Sequence, residues 1–239
     1  MAYFSNMHYA PSYNPSRLKW DIEKRAAKPA VPFTGAQKPH VVEMGLFDRP
    51  EKIWMEVGAG TGAFFADMAA AYPDRLMIAL ERCKLRGKRL EKKATKAQLP
   101  NFVGYRGNAI PAMIDGVPSG RLERIYILYP CPWPKNAQRK NRWYLHPMMP
   151  HLIRALETDG LLIWASDQKF YIDEARWICE TVYGLKVLVH GEIAPNEYND
   201  LHRYDGGRTQ FEKTFLGKGQ PCYELIVQST NNKTVSSKT

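Results

Sequence analysis

Short apolar runs alternate along the chain with stretches in which apolar residues recur at helical spacing. The runs at 53–55, 75–80, 102–105, 124–129 and 161–165 are rich in branched and aromatic residues and predict buried strands. The stretches at 64–71, 82–97, 146–157 and 170–183 predict helices. Two closing strands are predicted at 186–189 and 223–228. This alternation, over a chain of 239 residues, predicts one main α/β domain.

The flanks differ from this pattern. Residues 1–47 carry prolines that break any long helix. They predict an arm that packs on the domain or is partly disordered, or else an arm that acts as a lid over the cofactor or a clamp on the substrate. The main domain is expected over 48–228, and the polar tail 229–239 is expected to be disordered. A loop rich in glycine and asparagine separates the two closing strands and ends at Thr209-Gln210-Phe211-Glu212.

The most informative turn is Glu56-Val57-Gly58-Ala59-Gly60-Thr61-Gly62, between the first strand and the first helix. Alternating glycines let the backbone bend sharply and let a ligand lie against the main chain. The glycines fit NAD as well as S-adenosylmethionine. Glu56 favours the second, because a carboxylate would repel a pyrophosphate and attract an ammonium group. Glu81, at the end of the next strand, is placed to accept hydrogen bonds from ribose hydroxyls in either cofactor.

Two further strand ends carry candidate chemistry. The fourth strand runs into Pro130-Cys131-Pro132-Trp133-Pro134-Lys135, a rigid turn at the edge of the sheet where ligands bind in open α/β folds. The third strand leads to Asn108, whose amide could hydrogen-bond a purine edge.

The charge indicates a polyanionic partner. The formal net charge is +10 and the pI is near 9.4, which favours nucleic acid. Cations recur at helical spacing at Arg82, Arg86, Arg89, Lys93 and Lys96. They form either a solvated helix face or a surface that contacts phosphates, and the high density of positive charge favours contact with phosphates.

The four cysteines form no close pair, so neither a zinc site nor a disulfide framework is predicted. Without a membrane-spanning apolar run or a signal-peptide core, a cytoplasmic protein is expected.

From 48 to 228 the chain resembles the bacterial tRNA (guanine-N(7))-methyltransferase family. The most specific match is Y-P-C-P-W-P-K at 129–135, against the family's F-P-D-P-W-x-K. The glycine turn is similar to the family's E-I-G-x-G-x-G, and Glu81 matches the acid of its G-I-E. Asn108 and Ala109 stand at the Asp and the Ala of its G-D-A. Asp167 matches the Asp of A-T-D, and 209–212 is similar to T-K-F-E.

The resemblance implies a class I methyltransferase fold, which is Rossmann-like: a mostly parallel seven-stranded sheet with helices on both faces and a reversed last strand. It implies S-adenosylmethionine as cofactor, tRNA as partner, methylation of guanine N7 and a monomer or homodimer. Cofactor positions would be Glu56, Gly58, Gly60, Gly62, Glu81, Asn108, Ala109 and Cys131. Substrate positions would be Lys135, Asp167, Thr209, Gln210, Phe211 and Glu212, with Cys131 and Asp167 at catalytic positions and no metal.

Three departures from the family keep alternatives open. Asn108 and Cys131 replace aspartates, and Gln210 replaces a lysine. The alternatives are an N-methyltransferase for a small heterocycle, a non-catalytic RNA-binding relative and an NAD enzyme. The basic helix favours RNA over a small acceptor, whereas Glu56 and Glu81 favour a working cofactor site. The proline-rich turn speaks against a dehydrogenase. We expect no covalent or thiolate role for Cys131, because a methylated cysteine would be a stable dead end.

Overall fold

A computed structural model of the protein describes residues 14–26, 44–193 and 207–230. Its centre is a seven-stranded sheet. The strands are β1 Lys52–Val57, β2 Arg75–Glu81, β3 Phe102–Arg106, β4 Leu122–Leu128, β5 Leu156–Ser166, β6 Lys186–Glu192 and β7 Tyr223–Gln228. The helices are α1 Pro15–Ala26, α2 Ala63–Ala71, α3 Lys84–Ala97, α4 Ala109–Pro111, α5 Met149–Ala155, α6 Lys169–Trp177 and α7 Gln210–Leu216.

The strand order is β3-β2-β1-β4-β5-β7-β6, and the first five strands in that order are parallel. Strand β7 runs antiparallel to both of its neighbours. The predicted sheet with a reversed last strand is therefore confirmed. The order reverses between β1 and β4, and a crevice opens beyond the carboxyl ends of the strands at such a point. The glycine turn follows β1 and the proline-rich turn follows β4, so both flank this crevice.

The inner strands β1, β2 and β4 are buried on both faces over most of their length, which explains why they read as apolar runs. Along β1, Ile53 and Met55 belong to one core and Trp54 to the other. The first core also contains residues of α1, α5 and α6, and the second contains residues of α2 and α3. Alternate side chains of one strand therefore pack against helices on opposite faces.

The helix predicted at 146–157 is much shorter in the structure, where α5 covers only Met149–Ala155. Leu156 is already extended and pairs with Leu122 of β4. Asp159 and Gly160, which the sequence indicated as a helix end, instead form an irregularity inside β5. Asp159 adopts a φ of 62°, and a Cβ on Gly160 would lie 3.0 Å from the Leu122 carbonyl oxygen. The Glu157 carbonyl oxygen of the same strand lies equally close, so the backbones of β4 and of β5 itself leave little room for a side chain at Gly160.

Other predictions fall partly or wholly on residues that the structure does not describe. Of the predicted arm, α1 is described, and its Ile22 is fully buried in the first core. The glycine- and asparagine-rich loop lies largely outside the described residues, as does most of the tail. The segment from Gln210 is helical rather than the end of a loop. In the described part of the chain, no helix is long and apolar enough to cross a membrane, and no cluster of potential metal ligands occurs.

Candidate active site

The glycine turn is held against β2 and leaves open space above it. The backbone amides of Gly58 and Ala59 donate to the Leu80 carbonyl oxygen at 2.8 and 2.9 Å. Gly58 and Gly60 have φ of 84° and 58°, and a Cβ added at either position would meet no atom within 4 Å. A Cβ on Gly62 would instead lie 2.3 Å from Cδ1 of Leu90. The first two glycines therefore leave room for a ligand, and the third permits close packing of α3.

Glu81 fixes the shape of this turn. Its side chain is buried, and its two carboxylate oxygens accept hydrogen bonds from the backbone amides of Gly60 at 2.9 Å and Cys83 at 2.6 Å. Arg86 lies 3.6 Å from the same carboxylate. A carboxylate has about four acceptor sites, so these two amides leave capacity for ribose hydroxyls. Glu81 can therefore hold the glycine turn in shape and also take its predicted role in binding the cofactor.

Glu56 is the unusual acid of the site. It is 3% exposed, and within the described residues its Oε2 has no hydrogen-bond partner. Burial, reinforced by the negative charge of Glu81, raises the pKa of Glu56 to about 8, although Arg208 opposes the shift. A buried carboxyl with an unsatisfied oxygen is costly unless it meets a partner. Its position directly before the glycine turn suits the ammonium group of S-adenosylmethionine, and the open space at Gly58 and Gly60 suits the body of that cofactor.

The ends of the other parallel strands bring further predicted residues to this edge. Asn108 Oδ1 accepts a hydrogen bond from the Ile110 amide at 3.1 Å and caps α4. Asp167 follows β5, is half-buried and accepts a hydrogen bond from Gln168 Nε2 at 2.6 Å. Their predicted contacts with cofactor and substrate stay predictions.

The proline-rich turn is strained. Tyr129 and Trp133 have φ of 52° and 46°, in the left-handed region that non-glycine residues rarely adopt. Cys131 and Lys135 on this turn are exposed. Such strain persists only where surrounding contacts hold the backbone in place.

Those contacts come from a buried ion pair that the sequence did not reveal. Arg142 donates to the Trp133 carbonyl oxygen through Nε at 3.1 Å and Nη2 at 2.9 Å, and its Nη1 pairs with Glu174. Glu174 is fully buried and also accepts a hydrogen bond from the Tyr144 hydroxyl at 2.7 Å. One signal was present: Glu174 lies three residues after Tyr171 and four before Ile178, on the apolar face of α6.

The segment 209–212 contacts the proline-rich turn directly. The Tyr129 hydroxyl donates to the buried carboxylate of Glu212, and its ring centroid lies 4.7 Å from that of Phe211. Glu212 also pairs with buried Arg208 at 2.9 Å. Thr209 caps α7 by accepting a hydrogen bond from the Glu212 amide at 3.1 Å. Thr209 and Glu212 therefore shape the site, whereas Gln210 and Phe211 are exposed at its edge.

A basic surface borders the cofactor end of the site. Helix α3 begins three residues after Glu81, and its buried residues are Gly87 and Leu90. The cations Arg82, Arg86, Arg89 and Lys96 are exposed, and Lys93 is half-buried. The helix therefore has one face that packs on the sheet and another that presents its cations to solvent.

Comparison with known proteins places these features in a family. Residues 50–225 match the family model described as "Putative methyltransferase". The chain belongs to this family. The resemblance found in the sequence motifs is thereby confirmed, as is S-adenosylmethionine as the expected cofactor.

Curated relatives carry related names. A tRNA (guanine-N(7)-)-methyltransferase from Thermotoga maritima is 26% identical over 190 residues, which are 80% of this chain and 58% of that protein. One from Lacticaseibacillus casei is 26% identical over 180 residues, covering 75% of this chain and 82% of that protein. A bifunctional methyltransferase from Rickettsia felis is 32% identical over 60% of this chain. The chain spans only 58% and 27% of the lengths of the Thermotoga and Rickettsia relatives.

A solved structure supports the fold. The 16S rRNA methyltransferase KamB matches 82% of this chain and 96% of its own, with a TM-score of 0.57 and 16% sequence identity. The class I, Rossmann-like fold that the resemblance implied is confirmed.

Proposed function

We propose that the protein is an S-adenosylmethionine-dependent methyltransferase that modifies N7 of a guanine in tRNA. The observation that carries the proposal is the contact between the proline-rich turn and the segment 209–212, through Tyr129, Phe211 and Glu212. These two motifs are far apart in the chain, yet they meet beside the crevice that the glycine turn borders. The names of the relatives from Thermotoga maritima and Lacticaseibacillus casei support the same substrate.

The reaction requires little acid–base chemistry from the protein. When bound, S-adenosylmethionine supplies an electrophilic methyl group attached to a sulfonium. Guanine N7 offers a lone pair and carries no proton, so a general base is unnecessary. The residues of the site instead hold the base in line with the methyl group, and such positioning can supply much of the rate acceleration.

Asp167 has the position to orient the base. It lies at the end of β5, next to β4 and therefore next to the proline-rich turn. Its carboxylate accepts hydrogen bonds from the amino or ring N–H groups of the guanine and stabilises the cationic methylated base. Cys131 contributes through the backbone of the turn rather than through its thiol.

The guanine must be exposed before it can react. In an A-form helix N7 faces a deep, narrow groove that side chains do not enter, so the base is presented unstacked or flipped. Phe211 is 41% exposed and packs beside Tyr129, so these rings form an aromatic surface at the site. The exposed cations of α3 contact phosphates on the cofactor side.

The test is incubation with methyl-labelled S-adenosylmethionine and unmodified tRNA, followed by nucleoside analysis. The expected product is labelled 7-methylguanosine, and the Asp167→Ala protein is the matched control. Label in a different nucleoside would refute the N7 assignment. Transfer to a small heterocycle but not to tRNA would favour the small-acceptor alternative. Intact cofactor and tRNA binding without transfer would favour a non-catalytic RNA-binding protein.

A further inference from the structure

A basic groove of about 550 Å³ lies between α1 and the 3₁₀ helix Asn136–Asn141. Five of its lining residues are cations: Arg17, Lys24, Arg25, Arg139 and Lys140. The carboxylate among the lining residues that the structure describes is Asp21, which lies 3.5 Å from Arg17. Cations gathered in one concave surface repel one another and attract a polyanion.

Two of these cations build the groove. Arg25 Nη2 donates to the Leu145 carbonyl oxygen at 2.6 Å and fastens α1 to the segment that follows the 3₁₀ helix. Arg139 Nη2 lies 3.4 Å from Glu174, the acid that also pairs with Arg142. Lys24 and Lys140 are exposed and line opposite walls of the groove, one on α1 and the other on the 3₁₀ helix.

The groove also presents an aromatic ring. Trp20 is 48% exposed, with the Arg17 guanidinium 4.8 Å and the Lys24 ammonium 4.5 Å from its ring centroid. An indole next to cations offers a stacking surface for a base together with charges for its phosphates, the combination found in proteins that bind single-stranded nucleic acid.

The groove is connected to the candidate active site. Its 3₁₀ helix starts directly after Lys135, the last residue of the proline-rich turn. At a rise of about 2 Å per residue this helix is about 12 Å long. A nucleic acid in the groove can therefore continue towards the turn.

We infer that this groove binds the backbone of the RNA substrate, with an unpaired base on Trp20 and phosphates at Lys24 and Lys140. The inference rests on the proposed RNA substrate and adds a second contact surface, away from the basic face of α3. It also gives α1 a binding role in addition to its packing role.

The test is the salt dependence of tRNA affinity, measured by fluorescence anisotropy without cofactor. Each phosphate contact to a single strand contributes about 0.7 to the slope of log K against log salt, so the Lys24→Ala/Lys140→Ala variant should lose about 1.4. The control Lys52→Ala/Lys186→Ala removes the same charge at the amino-terminal ends of β1 and β6, the opposite edge of the sheet, and should keep the wild-type slope.

The aromatic contact has its own variants. Trp20→Leu should weaken binding about 5- to 150-fold, and Trp20→Phe should recover part of that loss because a ring is retained. Unchanged circular dichroism and melting temperature will show that each variant is folded. If the groove variant and the control variant show the same slope of log K against log salt, the inference is overturned. This result is also expected if the groove binds an acidic protein segment and not RNA.

The result can be separated from that of the proposed function. If wild-type protein forms no 7-methylguanosine but the groove variant loses slope, the groove stands and the reaction assignment fails. If 7-methylguanosine forms and the slope does not change, the reaction stands and the groove assignment fails.

Discussion

Glu56→Gln tests whether the buried carboxyl at the end of β1 receives the ammonium group of the cofactor. With a pKa of about 8, Glu56 is protonated about ten to one at pH 7. Pairing with an ammonium requires the ionised form, so binding at pH 7 should release about 0.9 proton. Between pH 6 and pH 7 the affinity should rise about ninefold, because removing the proton costs about 1.4 kcal/mol less for each pH unit.

Titration calorimetry measures this release when binding is repeated in buffers with different ionisation enthalpies. S-adenosylhomocysteine is a suitable ligand because it carries the same ammonium group and transfers no methyl group. Wild-type protein should release about one proton, whereas Glu56→Gln should release none and lose the pH dependence. A wild-type protein that releases no proton at pH 7, or releases as many as the variant, would refute the role of Glu56.

The same group should affect the stability of the ligand-free protein. Its pKa rises from 4.5 to about 8 on folding, so the folded state holds more protons between these two values. The contribution of protonated Glu56 to the free energy of unfolding is therefore complete below about pH 4.5 and is lost as the pH rises to about 8. Urea unfolding should show the free energy of unfolding falling by up to about 1.4 kcal/mol per pH unit, a slope that Glu56→Gln should lack.

Three further substitutions test other parts of the site. Cys131→Ser should keep the single-turnover methyl-transfer rate within about tenfold, whereas Asp167→Ala should lower it roughly 100-fold or more; abolished transfer in Cys131→Ser with cofactor binding intact would make the thiol essential. Glu174→Gln should lower the free energy of unfolding in urea by about 3 kcal/mol, because it removes the buried counter-charge of Arg142. The control Glu180→Gln removes the exposed ion pair with Arg176 and should lower the free energy of unfolding by less than about 1 kcal/mol. Gly62→Ala should destabilise the protein by at least about 1 kcal/mol in thermal unfolding, because its φ is 73° and the new Cβ would press on Leu90; an unchanged melting temperature would contradict this packing role.

Much of the fold could be predicted because the sheet is covered on both sides. A strand buried on both faces must be apolar at successive positions, so β1, β2 and β4 stand out as unbroken runs. The glycine turn was equally visible, because a backbone with positive φ at three alternating positions strongly favours glycine. These properties are local, and a short window of the chain contains them in full.

The helix predicted at 146–157 ends earlier than expected because its carboxyl-terminal limit is not a local property of the sequence. Leucine favours helices, but Leu156 lies beside the first residue of β4. Its backbone is extended there and pairs with Leu122. The residues at 146–157 do not indicate that β4 will lie beside Leu156 in the fold. Pairing in a sheet therefore overrode helical propensity at this position.

By itself, the sequence determined the order of the strands, the helices α2, α3, α5 and α6 between them, the glycine turn and the positions of the motifs at strand ends. Only the tertiary structure decided which charged residues are buried. Arg142 stands in a basic cluster that resembles solvated surface, and Arg208 adjoins a polar loop, yet both are buried, Arg142 against Glu174 of α6 and Arg208 against Glu224 of β7 as well as its near neighbour Glu212. The reason is physical: a buried charge is tolerated only where an opposite charge and hydrogen-bond partners meet it, and the folded chain alone brings Glu174 to Arg142 and Glu224 to Arg208.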